Sequence, residues 1–139
     1  MNTYQLEIGE DCVNKTRFNN KNWFYFSIEN KGPTRLITVR IENMAYNWSM
    51  WKNGIAPVYK SEYTAWRWAF LDHYPLEMRL KKDNLQVSFK YRLRQDEKVF
   101  IALSYPWSYS TDRNFYSRLE AKYRSSQSLY FEKEVVYFY

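Results

Sequence analysis

A chain of 139 residues with 14 Tyr, 9 Phe and 6 Trp, against three Gly and four Pro, has the composition of one ordered domain and excludes a disordered or low-complexity chain. One cysteine excludes an intrachain disulfide, one histidine excludes a zinc site built on two His ligands, and three scattered glycines exclude a glycine-rich phosphate loop. The net charge of +6 suits either solubility or an acidic partner, and no apolar run approaches the roughly 18–20 residues of a membrane-spanning helix.

In chain order, residues 4–8 alternate and predict a short edge strand, and residues 11–22 are polar, ending in an Asn-rich turn. Residues 23–29 form a strong strand signal, apolar at nearly every position. That pattern fits a strand buried on both faces, or one whose second face meets a partner, and Trp23 at its start is expected in the core. Lys31-Gly32-Pro33 reads as a turn, and residues 35–44 alternate cleanly with Ile37, Val39 and Ile41 on one side. The two strands predict a hairpin.

Residues 45–54 read as an aromatic, polar loop holding Tyr46, Trp48 and Trp51. Residues 55–63 are expected to be extended, with Pro57 marking an edge or bulge. Trp66, Trp68 and Phe70 then recur at period two, with Arg67 between the tryptophans. Residues 72–75 turn, 76–80 alternate, and 81–84 turn again. Leu85, Val87, Phe89, Tyr91 and Leu93 line one face of the next strand, with Gln86, Ser88, Lys90, Arg92 and Arg94 on the other. After a polar turn at 95–97, a strand at 99–103 runs into Tyr105-Pro106, where the missing backbone donor should end pairing. Ser110, Thr111 and Asp112 are placed to cap a helix over about residues 112–124, with Phe115, Tyr116, Leu119 and Tyr123 on one face. A linker at 125–128 leads to a last apolar strand at 129–139. Seven to nine short strands with one late helix predict a mainly β fold, an antiparallel β-sandwich.

The chemistry is limited by residue type. His73 sits in an Asp-His-Tyr-Pro turn with nothing to orient it as a base, and no feature around Cys12 marks an activated thiol. The carboxylates are scattered singly. Trp48 and Trp51 are candidates for binding on their loop. Trp66 and Trp68, with Arg67, form either an exposed platform for carbohydrate or protein or a second core layer. The basic residues are dispersed through strands, which disfavours nucleic acid.

Four blocks, residues 22–28, 35–44, 53–57 and Leu103-Ser104-Tyr105-Pro106-Trp107-Ser108-Tyr109-Ser110, resemble in order and spacing the N-terminal domain of cytosolic carboxypeptidases, zinc enzymes that trim glutamates from proteins, tubulin above all. The resemblance covers about residues 4–137. It implies a non-catalytic β-sandwich domain over residues 1–128, with residues 129–139 as the first strand leading into a catalytic domain that holds the family's zinc. No zinc ligand or catalytic residue carries over, so neither a cofactor nor enzymatic activity is expected of this chain alone. The expected partners are a carboxypeptidase catalytic domain and acidic, glutamylated tubulin tails, with a cytoplasmic, microtubule- or cilium-associated location and no membrane. The expected domain-docking wall is Tyr105, Pro106, Trp107, Ser108 and Tyr109. Arg67, Arg79, Lys90, Arg92 and Arg94 are the expected contacts for an acidic tail. A free-standing binding module for carbohydrate or protein is the alternative.

Overall fold

The computed structural model describes residues 2–10, 21–45, 48–71, 76–82 and 84–126. The readings made for Cys12, Tyr46, His73 and the strand at 129–139 lie outside these residues. The chain divides into two compact units, Met1–Tyr105 and Pro106–Tyr139, so the break falls at the Tyr-Pro step that was expected to end pairing.

The first unit holds two four-stranded sheets. Sheet I runs in the order β1 (Asn2–Leu6), β3 (Arg35–Ala45), β7 (Asn84–Leu93), β6 (Glu77–Lys81). Sheet II runs in the order β2 (Tyr25–Glu29), β8 (Lys98–Ala102), β4 (Val58–Lys60), β5 (Ala69–Phe70). This is the expected β-sandwich, with one departure from antiparallel pairing: β1 runs parallel to β3. The core lies where the alternation placed it. Ile37, Val39 and Ile41 of β3 face inward with Leu85, Val87, Phe89, Tyr91 and Leu93 of β7, all at most 5% exposed. Each such side chain contributes about 1.5–3 kcal/mol on burial.

A bulge in β3 after Ile41 breaks its register with β7. Asn43, beside that irregularity, uses its side chain as a surrogate peptide. Its Oδ1 accepts from the Ile8 N–H at 2.7 Å and its Nδ2 donates to the Ile8 carbonyl at 3.0 Å, which holds the chain beyond β1.

The expected β2–β3 hairpin does not form. β2 bonds to β8 in sheet II, and β3 lies between β1 and β7 in sheet I, so residues 30–34 form an arch from one sheet to the other. The turn at 95–97 makes the matching arch from β7 to β8. Two buried polar residues make these crossings possible. Asn30, 1% exposed, donates its side-chain amide to the carbonyls of Gly32, Pro33 and Arg94 at 2.9, 3.1 and 2.7 Å. Its backbone N–H donates to the Glu97 carbonyl at 2.8 Å. Glu97, fully buried, takes the Arg94 N–H on Oε2 and the Tyr91 hydroxyl on Oε1. Peptide groups that a flat sheet would pair are satisfied here by side chains, as buried backbone requires.

Three further expectations are corrected. Trp23 is 39% exposed; the inward phase of β2 is carried by Phe24, Phe26 and Ile28. The loop at 45–54 contains a short helix, α1 (Trp48–Lys52), which sends Trp51 into the core at 4% exposure and packs Trp48 against it. Gly54, at φ +95°, closes that helix in a conformation L residues avoid. The strand expected through Trp66 and Trp68 is reduced to Ala69–Phe70, because the preceding residues form a 3₁₀ turn, Glu62–Thr64.

In the second unit α2 spans Tyr109–Tyr123, three residues earlier at its start than expected. The cap is Ser108: its Oγ accepts the Thr111 N–H at 3.2 Å, so the helix begins before Ser110–Asp112 could serve. The Trp107 indole N–H donates to Asp112 at 2.9 Å across this first turn.

Candidate docking face

The outward face of sheet II is aromatic. The register places Tyr25, Phe100, Lys60 and Phe70 on it, above Val58 and Ala102, which are fully buried beneath the larger side chains. Trp66 and Trp68 complete the face, and a local device puts them there. Ser61 and Thr64 form a reciprocal cap: the Ser61 N–H donates to Thr64 Oγ1 at 3.0 Å and the Tyr63 N–H donates to Ser61 Oγ at 3.3 Å. Ala65 and Trp66 then take left-handed backbone angles, φ +50° and +58°, and the Trp66 N–H returns to the Ser61 carbonyl at 2.9 Å. Two consecutive non-glycine residues in this region cost about 1–2 kcal/mol each. The strained turn lays Trp66 over Phe100 instead of letting the chain continue as a strand.

The rings meet edge to face or tilted. Trp66 and Phe100 are 6.4 Å apart, Tyr25 and Phe100 6.1 Å, and Tyr25 and Trp68 6.1 Å. Lys60 Nζ sits 4.9 Å from the Trp68 ring centre and 5.3 Å from that of Phe100, and Lys98 Nζ lies 5.5 Å from Phe100. At such exposed sites each cation–π contact contributes about 0.5–1 kcal/mol. At the β5 edge Tyr105 packs on Phe70 at 5.7 Å. Tyr25, Trp66, Phe70 and Tyr105 remain 47–55% exposed. Contiguous exposed aromatics of this kind are more usual at interaction surfaces than in core layers.

The expected docking wall is divided between the two units. Tyr105 belongs to the aromatic face. Pro106, Trp107, Ser108 and Tyr109 belong to the second unit, where Ser108 is the helix cap and Trp107 packs on Phe115 at 5.6 Å. The sequence did not mark Tyr25, Lys60 or Phe100 as site residues, although the run at residues 23–29, apolar at nearly every position, carried the signal for a second face that meets a partner.

The five expected basic contacts do not converge. Arg79, Lys90 and Arg92 share the outward face of sheet I, opposite Gln86, Thr38 and Leu36 respectively. Arg67 is exposed on the sheet II side, in the connection before β5. Arg94 stacks its guanidinium 4.1 Å from the Tyr63 ring, at the end of the sandwich. The sheet I face is partly neutralised at Glu42, which takes Gln86 at 2.7 Å and Lys81 at 3.2 Å and whose carboxyl these contacts hold below the usual range. Among the described residues no group of three His, Cys, Asp or Glu is placed to hold a metal.

No family model matches the chain. It is similar to cytosolic carboxypeptidase-like protein 5 of several vertebrates: 31% identical over 117 residues to that of Bos taurus, 30% over 117 residues to that of Homo sapiens, and 27% over 138 residues to that of Ailuropoda melanoleuca. These matches cover 81–91% of the chain but only 13–15% of each relative's length.

Proposed function

The chain belongs to the cytosolic carboxypeptidase-like family, and from that premise we propose that it is a non-catalytic β-sandwich domain that docks a zinc peptidase domain through the aromatic face of sheet II. The observation that carries this reading is the cluster in which half-exposed Tyr25 and Trp66 pack on partly buried Trp68 and Phe100, fixed by Lys60 and by a strained turn. The Arg79, Lys90 and Arg92 face of sheet I, on the other side of the sandwich, attracts the acidic, glutamylated tail of a protein substrate such as tubulin and delivers it to the docked enzyme. The setting is cytoplasmic. The alternative, a free-standing binding module for carbohydrate or protein, loses two of its four tryptophans, since Trp51 is buried and Trp48 packs on the core.

The test is calorimetric titration of the purified chain with the peptidase region of the bovine relative. Binding that falls at least about tenfold on the double substitution Trp66→Ala, Phe100→Ala supports the proposal. Absent binding, or binding indifferent to both substitutions, contradicts it.

A further inference from the structure

β2 is an edge strand among the described residues, and its hydrogen bonding shows which groups it leaves free. The Leu103 N–H donates to the Phe24 carbonyl at 3.1 Å, and the Asn30 N–H donates to the Glu97 carbonyl at 2.8 Å. Antiparallel pairing alternates bonded and non-bonded pairs, so in this register Phe26/Ile101 and Ile28/Val99 are the bonded pairs between them. The peptide groups of Tyr25, Ser27 and Glu29 therefore point away from β8, to the open edge. Among the described residues this edge is lightly defended: residues 25–29 read Tyr-Phe-Ser-Ile-Glu, with one charge, Glu29, and no lysine, proline or bulge.

Beside the edge lies a cavity of about 400 Å³, walled by the edge strands of both sheets and by the residues following β1. Leu6, Ile8, Phe24 and Phe26 give it an apolar floor, and Glu7 and Glu10 stand at its rim. Neither carboxylate has an ion-pair partner among the described residues, whereas Glu29 is paired with Lys31.

We propose that the β2 edge receives an extended strand from a partner polypeptide, apolar at alternate positions and carrying lysine or arginine. The backbone of that strand would bond to Tyr25, Ser27 and Glu29, its inward side chains would enter the cavity, and its cations would meet Glu7 and Glu10. The charge selects this occupant over a second copy of the chain, which would bring the same carboxylates against themselves. The proposal is independent of the docking role of the aromatic face.

The probe is a soluble peptide of alternating lysine and valine, with a twin in which glutamate replaces lysine. Amide exchange followed by NMR on the full chain should slow by about tenfold or more at Tyr25, Ser27 and Glu29 with the lysine peptide and not with its twin. Ser27→Pro removes an N–H that points to the open edge, where proline is tolerated, and should abolish the effect. Glu7→Lys with Glu10→Lys, both at exposed positions, should transfer the preference to the glutamate peptide and serves if the proline variant does not fold. Equal response to both peptides overturns the proposal, as does unchanged binding by the folded Ser27→Pro chain. So does protection of these amides without peptide, whether in dilute chain, where another segment of the same molecule would hold the edge, or only at high concentration, where a second copy would.

Discussion

Tyr91 donates its hydroxyl to Oε1 of Glu97 at 2.7 Å in the closed end of the sandwich, where Glu97 is fully buried. Tyr91 lies on β7 and Glu97 at the end of the β7–β8 arch. The other carboxylate oxygen holds the Arg94 N–H at 2.8 Å, and the Glu97 carbonyl receives Asn30 from the β2–β3 arch. One acidic side chain and its own peptide group thus tie both crossings of the fold together.

Replacing Glu97 by alanine leaves the Tyr91 hydroxyl and the Arg94 N–H without their acceptor in a closed space. Each unsatisfied group costs about 1–3 kcal/mol, so Glu97→Ala should destabilise by about 2–6 kcal/mol. Asn30→Ala, which exposes three carbonyls of the same node, should cost about 2 kcal/mol or more. Denaturant melts of the single variants and the double variant measure both. The double should fall short of the sum, because the two residues share partners.

The same node sets an alkaline limit. Burial, and then the hydrogen bond and charge of Glu97, hold the Tyr91 hydroxyl well above its ordinary range. A group whose pKa is raised on folding stabilises the fold fully below its unfolded value and loses that contribution as the pH climbs beyond it. Stability should therefore decline above about pH 10, the ordinary tyrosine value. Tyr91→Phe should flatten that decline relative to the parent chain while lowering stability at neutral pH by about 1–3 kcal/mol. Melting temperature followed from pH 7 to 11 in both chains separates this tyrosine from the others.

Trp51 offers a test of the core. It is 4% exposed, and its indole N–H finds no acceptor among the described residues. Trp51→Phe gives up contact area but also removes an unsatisfied donor, so its cost should stay below about 1.5 kcal/mol. Trp51→Ala should cost about 3–5 kcal/mol. A phenylalanine variant as damaged as the alanine variant would contradict this account of the buried indole.

How far these features were legible in the sequence depends on what each was encoded by. The β3 and β7 strands were readable because strict alternation at Ile37–Ile41 and Leu85–Leu93 fixes an inward face without knowledge of any partner. The β2–β3 hairpin was misread because a turn such as Lys31-Gly32-Pro33 looks the same whether the chain returns to its own sheet or crosses to another. The crossing is decided by Asn30 and Glu97, which sit 67 positions apart and show their role only in space. The tryptophans of residues 66–68 carried a strand period, but capping by Ser61 and Thr64 and two left-handed residues overrode it. For the site, Tyr105 and the Trp66/Trp68 pair were visible in advance, while Phe100 and Lys60 joined them only through the β4–β8 register.

The sheet I face supports an electrostatic prediction. A glutamate-rich peptide should bind it weakly, and the affinity should fall as salt shortens the screening length from about 10 Å at 0.1 M to about 3 Å at 1 M. Lys90→Glu with Arg92→Glu should abolish that binding, whereas Arg67→Glu, on the opposite side of the sandwich, should leave it unchanged. Fluorescence anisotropy of a labelled peptide across a salt series is the measurement.

The docking role of the aromatic face is tested most directly by hydrogen exchange of the chain alone and mixed with the peptidase region of a relative. Added peptidase should slow exchange in residues 66–71 and 98–102 and leave β1, β3 and β7 unchanged. Protection confined to the sheet I strands, or no protection anywhere, would contradict the account.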